Sequence, residues 1–270
     1  MKFLLIFLWS LFFCFNTQAG NANFSGFKLF GSPNINNLAP ISEKYKGMTP
    51  EITLDNGSDL TIIIYSHGTT RPQKKEDCTK SYNQIPKSLK ILKDNENTYF
   101  YYLCSKATDV IKEGSYIFHR KKEIKQILNQ LIAANVKPEN IFLSGHSAGG
   151  WASLMMMDEV GRKFNSAVVF APAFAGPRSE INKYPIWRKE VRPRQVKQMT
   201  QAKVIKALIF AYKDDEFNRP KELNFLVEKY PNTVELVGYN CGEGHHTSHN
   251  DCRLSKTKKK IKAYFENSKY

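Results

Sequence analysis

"NIFLSGHSAGGWASL", residues 140–154, is the stretch on which the fold turns. It runs from an apolar, strand-like segment through Gly145, Ser147 and Gly149 into a helix-like one. A chain that turns sharply from strand to helix crowds the residues two before and two after the bend, and glycine at 145 and 149 removes the side chains that would clash. The helix then begins at Ser147, where its unpaired N–H groups and the positive end of its dipole gather. The alternatives are a plain glycine-rich turn and a turn built to push a hydroxyl out of the backbone.

Outward from this turn, strand and helix signals alternate. Upstream, "EITLD" (51–55) and "LTIIIYS" (60–66) read as strands around the turn "NGSD". The second is a continuous apolar run of the kind a sheet covered on both faces buries. A helix is expected around Tyr82 to Leu92, broken or entered at Pro86, and "TYFYYLC" (98–104) is expected as a strand. Ile117, Ile124, Ile127, Leu128, Leu131 and Ile132 recur at helical spacing over 117–134. Downstream come a helix from about Ala148 to Val160, the strand "SAVVF" (166–170) and a less regular segment to about Met199. "KALIFAY" (206–212), a helix from about Pro220 to Tyr230, "TVELVGY" ending at Tyr239, and a terminal helix complete the pattern. Such alternation implies an α/β fold with a mainly parallel, doubly wound sheet and helices on both faces.

In such a sheet ligands bind beyond the carboxyl ends of the strands. His67-Gly68-Thr69-Thr70 follows the first long apolar run and Gly145 to Gly149 the next; Lys213-Asp214-Asp215 follows "KALIFAY", and "CGEGHHTSHNDC" follows "TVELVGY". A serine, an acid and a histidine therefore project from one edge in that chain order, the set required for nucleophilic acyl transfer. The acid is Asp214 or Asp215; the base is His245 or His246, with His249 as a loop residue. A competing metal set of His245, His246, His249 and Asp251 is disfavoured, because the flanking cysteines would pair with each other and serine chemistry uses no metal. His146 points away from Ser147 as an adjacent residue, and His67 and His119 are read as a packing and a surface residue.

With these motifs the chain resembles an α/β-hydrolase over about residues 52–266, most closely the secreted esterases and dienelactone-hydrolase-like members. Their elbow often reads Gly-x-Ser-x-Gly-Gly, as Gly145 to Gly150 does here. The resemblance implies Ser147 as nucleophile, His245 as base, and the N–H groups of Ala148 and Thr69 as oxyanion donors. It favours Asp214 as acid, through the spacing Ala211 to Phe217, although Ala211 stands where the family usually has glycine. No cofactor is implied. The expected function is a serine hydrolase acting on a small or polymeric carboxylic ester; a peptidase, an acyltransferase or a non-catalytic binding protein on the same fold are the alternatives. Residues 171–199, with Phe174, Tyr184, Trp187 and several arginines, are too few for a large lid, and Trp151 either lines the pocket or joins the core.

The remaining features place this domain. Met1 to Ala19 has one charge at Lys2, an apolar run from Phe3 to Phe15, and Thr17 and Ala19 at the positions preceding a signal-peptidase cut. Residues 1–19 are thus expected to be a signal peptide, 20–50 an N-terminal arm, and 51–270 the catalytic domain, secreted or periplasmic and with no membrane span left after cleavage. Four cysteines then face an oxidising compartment, and the expected pairs are Cys241–Cys252, worth about 3 kcal/mol by loop closure, and Cys78–Cys104. The net charge of +15 invites a nucleic-acid partner. However, the lysines are scattered, and the densest run, "KTKKKIK" (256–262), reads as the solvated face of the terminal helix, so no specific nucleic-acid site is expected.

Overall fold

The computed structural model describes residues 25–28, 38–39, 57–69, 80–105, 116–174, 178–182 and 186–268. Its sheet contains two short strands, β1 (Gly26–Lys28) and β2 (Leu38–Ala39), and six longer ones. These are β3 (Thr61–Ser66), β4 (Thr98–Leu103), β5 (Ile141–His146), β6 (Ser166–Phe170), β7 (Ala207–Tyr212) and β8 (Val234–Tyr239). The spatial order is β2-β1-β4-β3-β5-β6-β7-β8. β1 pairs antiparallel with β2 and β4, and every other neighbour pair is parallel. Because β4 lies on one side of β3 and β5 on the other, the winding reverses at β3, which opens a crevice beyond the carboxyl ends of β3 and β5. Ser66 is in register with Gly145 there, so both strands end at the same level.

The period of two along the strands sorts side chains into two unlike faces. Ile62, Ile64, Leu143, Val169 and Ile209 point to one face, where helices α1 (Tyr116–Ala133), α2 (Ala148–Leu154), α3 (Arg192–Met199) and α4 (Pro220–Lys229) contribute Ile124, Trp151, Met199 and Leu226. The other face is aromatic, with Tyr65, Phe100, Tyr102, Phe142, Phe170 and Phe210. Among the described residues it is covered by the short turns carrying Ile85, Leu89 and Leu92 and by the terminal helix α5 (Leu254–Ser268), through Ile261 and Phe265. Large rings thus fill from the sheet side the space that fewer helices leave. α5 turns its buried Ile261 and Phe265 inward, which leaves its lysines at the outer side.

Several local expectations are corrected. Tyr82 to Leu92 is not one helix but two 3₁₀ segments, Ser81–Asn83 and Leu89–Asp94, because Pro86 and its extended approach interrupt helical bonding. α2 stops at Leu154 instead of Val160. The chain then turns so that Asp158 and Glu159 meet Lys121 and Lys125 of α1 at 3.3 and 2.9 Å. The segment read as irregular contains a π-helical stretch, Ile186–Val191, running into α3, whose first turn accepts Pro193. Two stretches of residues 20–50 join the sheet, with Phe27 buried edge-on against Tyr101 at 5.4 Å. The strand expected at 51–55 and the signal segment 1–19 lie outside the described residues. Among the described residues no helix is long and apolar enough to cross a membrane.

The elbow sits where β3 and β5 end, and there is no room for a side chain. A Cβ at Gly149 would stand 2.0 Å from the Ser66 carbonyl oxygen and 2.7 Å from that of His67. Gly149→Ala is therefore expected to displace the end of β3 and to destabilise by about 3 kcal/mol, measured as a fall in the urea midpoint; an unchanged midpoint would show that the elbow can relax.

Candidate active site

Ser147 is the residue between β5 and α2, with φ 53° and ψ −123°. That positive φ costs a non-glycine residue energy and is held by its surroundings. Its N–H donates to the Phe170 carbonyl at 3.0 Å, and its carbonyl accepts from Trp151 at 2.9 Å and Ala173 at 3.2 Å. Ala148, as the first residue of α2, has an N–H without an intrahelical acceptor. From the other side, the loop after β3 presses on the elbow: a Cβ at Gly68 would lie 3.1 Å from the Cβ of Ser147 and 3.0 Å from His146 Nδ1. Thr69 follows directly, which brings its backbone and that of Ala148 to the same end of the crevice.

His245 comes from the 3₁₀ turn Gly244–His249 after β8. Its Nε2 is 2.7 Å from Ser147 Oγ and its Nδ1 2.8 Å from Asp215 Oδ2. An ionised carboxylate only accepts, so Nδ1 carries the proton and Nε2 is left to accept from the serine hydroxyl. His245 is buried, and its ring packs against Phe217 at 4.3 Å.

Of the two candidate acids, the structure brings Asp215, the alternative, to His245, and not Asp214, which the family spacing favours. A hydrogen bond from Asp215 N–H to the Tyr212 carbonyl, 3.2 Å long, closes the turn at the end of β7 and carries residue 215 into the crevice. Asp215 is fully buried; its Oδ1 accepts from the N–H of Phe217 at 2.6 Å and of Asn218 at 3.3 Å. Asp214 instead accepts the Gly244 N–H and so ties the acid turn to the histidine turn. Behind the acid, Arg188 donates to the Phe217 carbonyl at 2.8 Å, and Asn218 anchors to the Pro172 carbonyl at 2.9 Å. Burial first, then Arg192 and Arg178, lowers the Arg188 guanidinium to about 10, while Glu222 and Asp215 act in the opposite sense.

The other histidines fall into place around this line. His246 packs at a tilt beside Tyr82 at 4.8 Å, and it is His245 that stands between Ser147 and Asp215. His249 contacts the Gln84 carbonyl at 2.9 Å, and Asp251 pairs with Lys87 at 2.9 Å. Among the described residues no group of three or more His, Cys, Asp or Glu is arranged to hold a metal ion. His67 is a packing residue: its Nε2 accepts from the Ser105 N–H at 3.1 Å, its Nδ1 faces the Gly68 carbonyl, and buried Arg120 holds its carbonyl. Trp151 is core rather than pocket, fully buried with Nε1 donating to Gln195 at 2.8 Å under the Arg192 guanidinium. Phe174 is buried against Tyr116 at 5.2 Å, whereas Tyr184 and the side chain of Trp187 lie outside the described residues. A cavity of about 440 Å³ lies at the opposite end of the sheet, beneath β6 to β8, lined by Lys206, Glu235 and Tyr264 among others.

Cys241 and Cys252 form a disulfide, with Cα atoms 6.1 Å apart, that brackets the turn carrying His245. Cys104 is also disulfide-bonded; Cys78, its expected partner, lies outside the described residues.

Four imidazoles near the crevice resist protonation, each chiefly through burial. His67 and His146 are held well below the usual range, His246 is lowered, and His249 is lowered to about 4. The unfolded chain takes up these protons near pH 6.5 and the folded one only further down, so stability is lost as pH falls through that window. At pH 5 His249 alone is expected to cost about 2 kcal/mol. Urea unfolding at pH 7 and pH 5 checks this, and equal free energies at the two values would contradict it.

No protein-family model matches the chain, and no curated protein sequence matches it. Solved structures do. Est1E from Butyrivibrio proteoclasticus aligns at a TM-score of 0.52 and 13% identity, over 77% of this chain and 88% of that one. The propionate-bound thermophilic esterase Est2 of the Planctomycetes species Thermogutta terrifontis aligns at 0.53 and 14%, over 91% of this chain and 95% of that one. A putative dipeptidyl aminopeptidase IV from Bacteroides ovatus aligns at 0.57 and 17%, over 77% of this chain but only 31% of its own length. The fold is that of the α/β-hydrolases.

Proposed function

We propose that the chain is a serine hydrolase of carboxylic esters, with Ser147 as nucleophile, His245 as general base and Asp215 as the acid that orients it. The observation that carries this reading is the unbroken line from Ser147 Oγ through both ring nitrogens of His245 to Asp215, at 2.7 and 2.8 Å. In the first half-reaction His245 Nε2 takes the hydroxyl proton as Ser147 Oγ bonds to the ester carbonyl carbon. The oxyanion faces the N–H groups of Ala148 and Thr69. The tetrahedral species collapses, the C–O bond breaks, and His245 returns the proton to the departing alcohol. Water, deprotonated by the same nitrogen, then attacks the acyl-serine, and the acid leaves as Ser147 regains its proton.

Ester rather than peptide cleavage is favoured by size. The likeness to Est1E and Est2 extends over nearly their whole length, whereas it takes in about a third of the peptidase. Export is favoured by the Cys241–Cys252 bridge, because such bonds persist in oxidising compartments. The test is reaction with a fluorophosphonate and mapping of the adduct, alongside turnover of p-nitrophenyl esters and peptide p-nitroanilides. An adduct on Ser147 with ester turnover is expected; no adduct, or one on another residue, ends the proposal. Peptide turnover exceeding ester turnover would move the chain to the peptidases.

A further inference from the structure

The elbow contains a second imidazole that the mechanism above does not use. His146, immediately before the nucleophile, is 1% exposed and turns away from Ser147 toward the histidine turn. Its Nε2 lies 2.9 Å from the backbone carbonyl oxygen of His245. A carbonyl only accepts, so Nε2 carries the proton and donates it. Its ring also packs at 4.9 Å from that of His245, at 5.6 Å from His246 and at 4.8 Å, edge to face, from His249. From this contact we infer that His146 is a positioning residue: it ties the backbone of the base directly to the elbow that carries the nucleophile, and so sets the distance between His245 Nε2 and Ser147 Oγ. The inference rests on the hydrolase reading.

The reasoning is geometric. Two hydrogen bonds reach His245 through the acid turn: Asp215 to its ring and Asp214 to the N–H of the preceding Gly244. Both would carry the base along if the β7 loop shifted. The His146 bond alone runs from the residue next to Ser147 to the base's own main chain, so it references the base to the hydroxyl and not to the acid. A short, rigid ring reaching a backbone atom leaves little slack. The same ring sits against the loop after β3, since its Nδ1 would be 3.0 Å from a Cβ at Gly68. One side chain therefore touches the segments that bear nucleophile, base and oxyanion donors. Keeping that ring neutral matters as well, and burial together with the neighbouring His245 and His249 opposes its protonation. A second charge beside the imidazolium formed during catalysis is thereby avoided.

Two substitutions separate this role from simple packing. In glutamine the amide nitrogen stands as many bonds from Cα as the imidazole Nε2, so His146→Gln retains a donor for the His245 carbonyl. His146→Met has similar length and no donor. Both lose the ring contacts alike, and thermal midpoints report that shared loss. With p-nitrophenyl butyrate, His146→Met is expected to lower kcat about 10- to 100-fold with KM within about twofold, because a small misplacement of a reacting group has that scale. His146→Gln is expected to recover to within about fivefold of wild type. Equal kcat values for the two variants, whether both are active or both impaired, would overturn the inference, as would a loss confined to KM. A wild-type protein that turns over no ester and takes up no phosphonate would overturn this and the hydrolase reading together; an active wild type with equal variants would overturn this one alone.

Discussion

Replacing Ser147 by alanine is expected to lower ester turnover about 10⁶-fold, the scale seen when a triad nucleophile is removed, and to abolish the phosphonate adduct. The size of the effect follows from what remains. The Cβ and the backbone of residue 147 stay, so the proposed oxyanion donors, the N–H groups of Ala148 and Thr69, are retained, and His245 still rests on Asp215 at 2.8 Å. What is gone is the only atom in that line able to bond the acyl carbon. Residual turnover then comes from water placed by the base and from the oxyanion donors. The fold should be unaffected, because the bonds that hold the strained residue at φ 53° are made by its main chain to Phe170, Trp151 and Ala173. Retention of more than about 1% of wild-type kcat, in a variant with an unchanged melting temperature, would place the nucleophile elsewhere.

Asp215→Asn is expected to lower kcat about 10⁴-fold, and Asp214→Asn less than tenfold. An amide at 215 is nearly isosteric, but it can present its NH₂ to His245 Nδ1. That drives the ring toward the tautomer with its proton on Nε2, where it faces the serine hydroxyl as a donor and cannot act as base. The N–H groups of Phe217 and Asn218, which converge on a buried carboxylate, would meet a weaker acceptor as well. Residue 214 only fastens the Gly244 N–H, and an amide oxygen does that too. The comparison is discriminating because the two residues are adjacent and identical. If Asp214→Asn is the more damaging, the acid turn closes differently in solution.

Adjacent identical residues are also where sequence patterns lose their power. β3 and β5 were legible because a strand buried on both faces is apolar over most of its length, and the elbow because glycine is demanded at 145 and 149 by backbone contact. Which of two neighbouring aspartates reaches His245 depends on one turn bond, Asp215 to Tyr212, that leaves no mark in side-chain type. The same holds for His146, whose partner is a main-chain carbonyl, and for Arg188 behind Phe217. β1 and β2, three and two residues long, are too short to display a period. The helix expected at Tyr82 to Leu92 failed for a local reason: Pro86 removes a donor within it, and the aromatic face it covers needs only short turns.

On the proposed mechanism the base, His245, lies 98 residues after the nucleophile and 30 after the acid, in a turn closed by a cysteine bridge and followed at once by the helix that packs on the aromatic face. During synthesis, hydroxyl and carboxylate emerge well ahead of the imidazole that makes them reactive. A growing chain would thus carry an incomplete triad until the turn after β8 has been made and has docked against the elbow. On that mechanism, chemical reactivity reports that the histidine turn has docked against the end of β5.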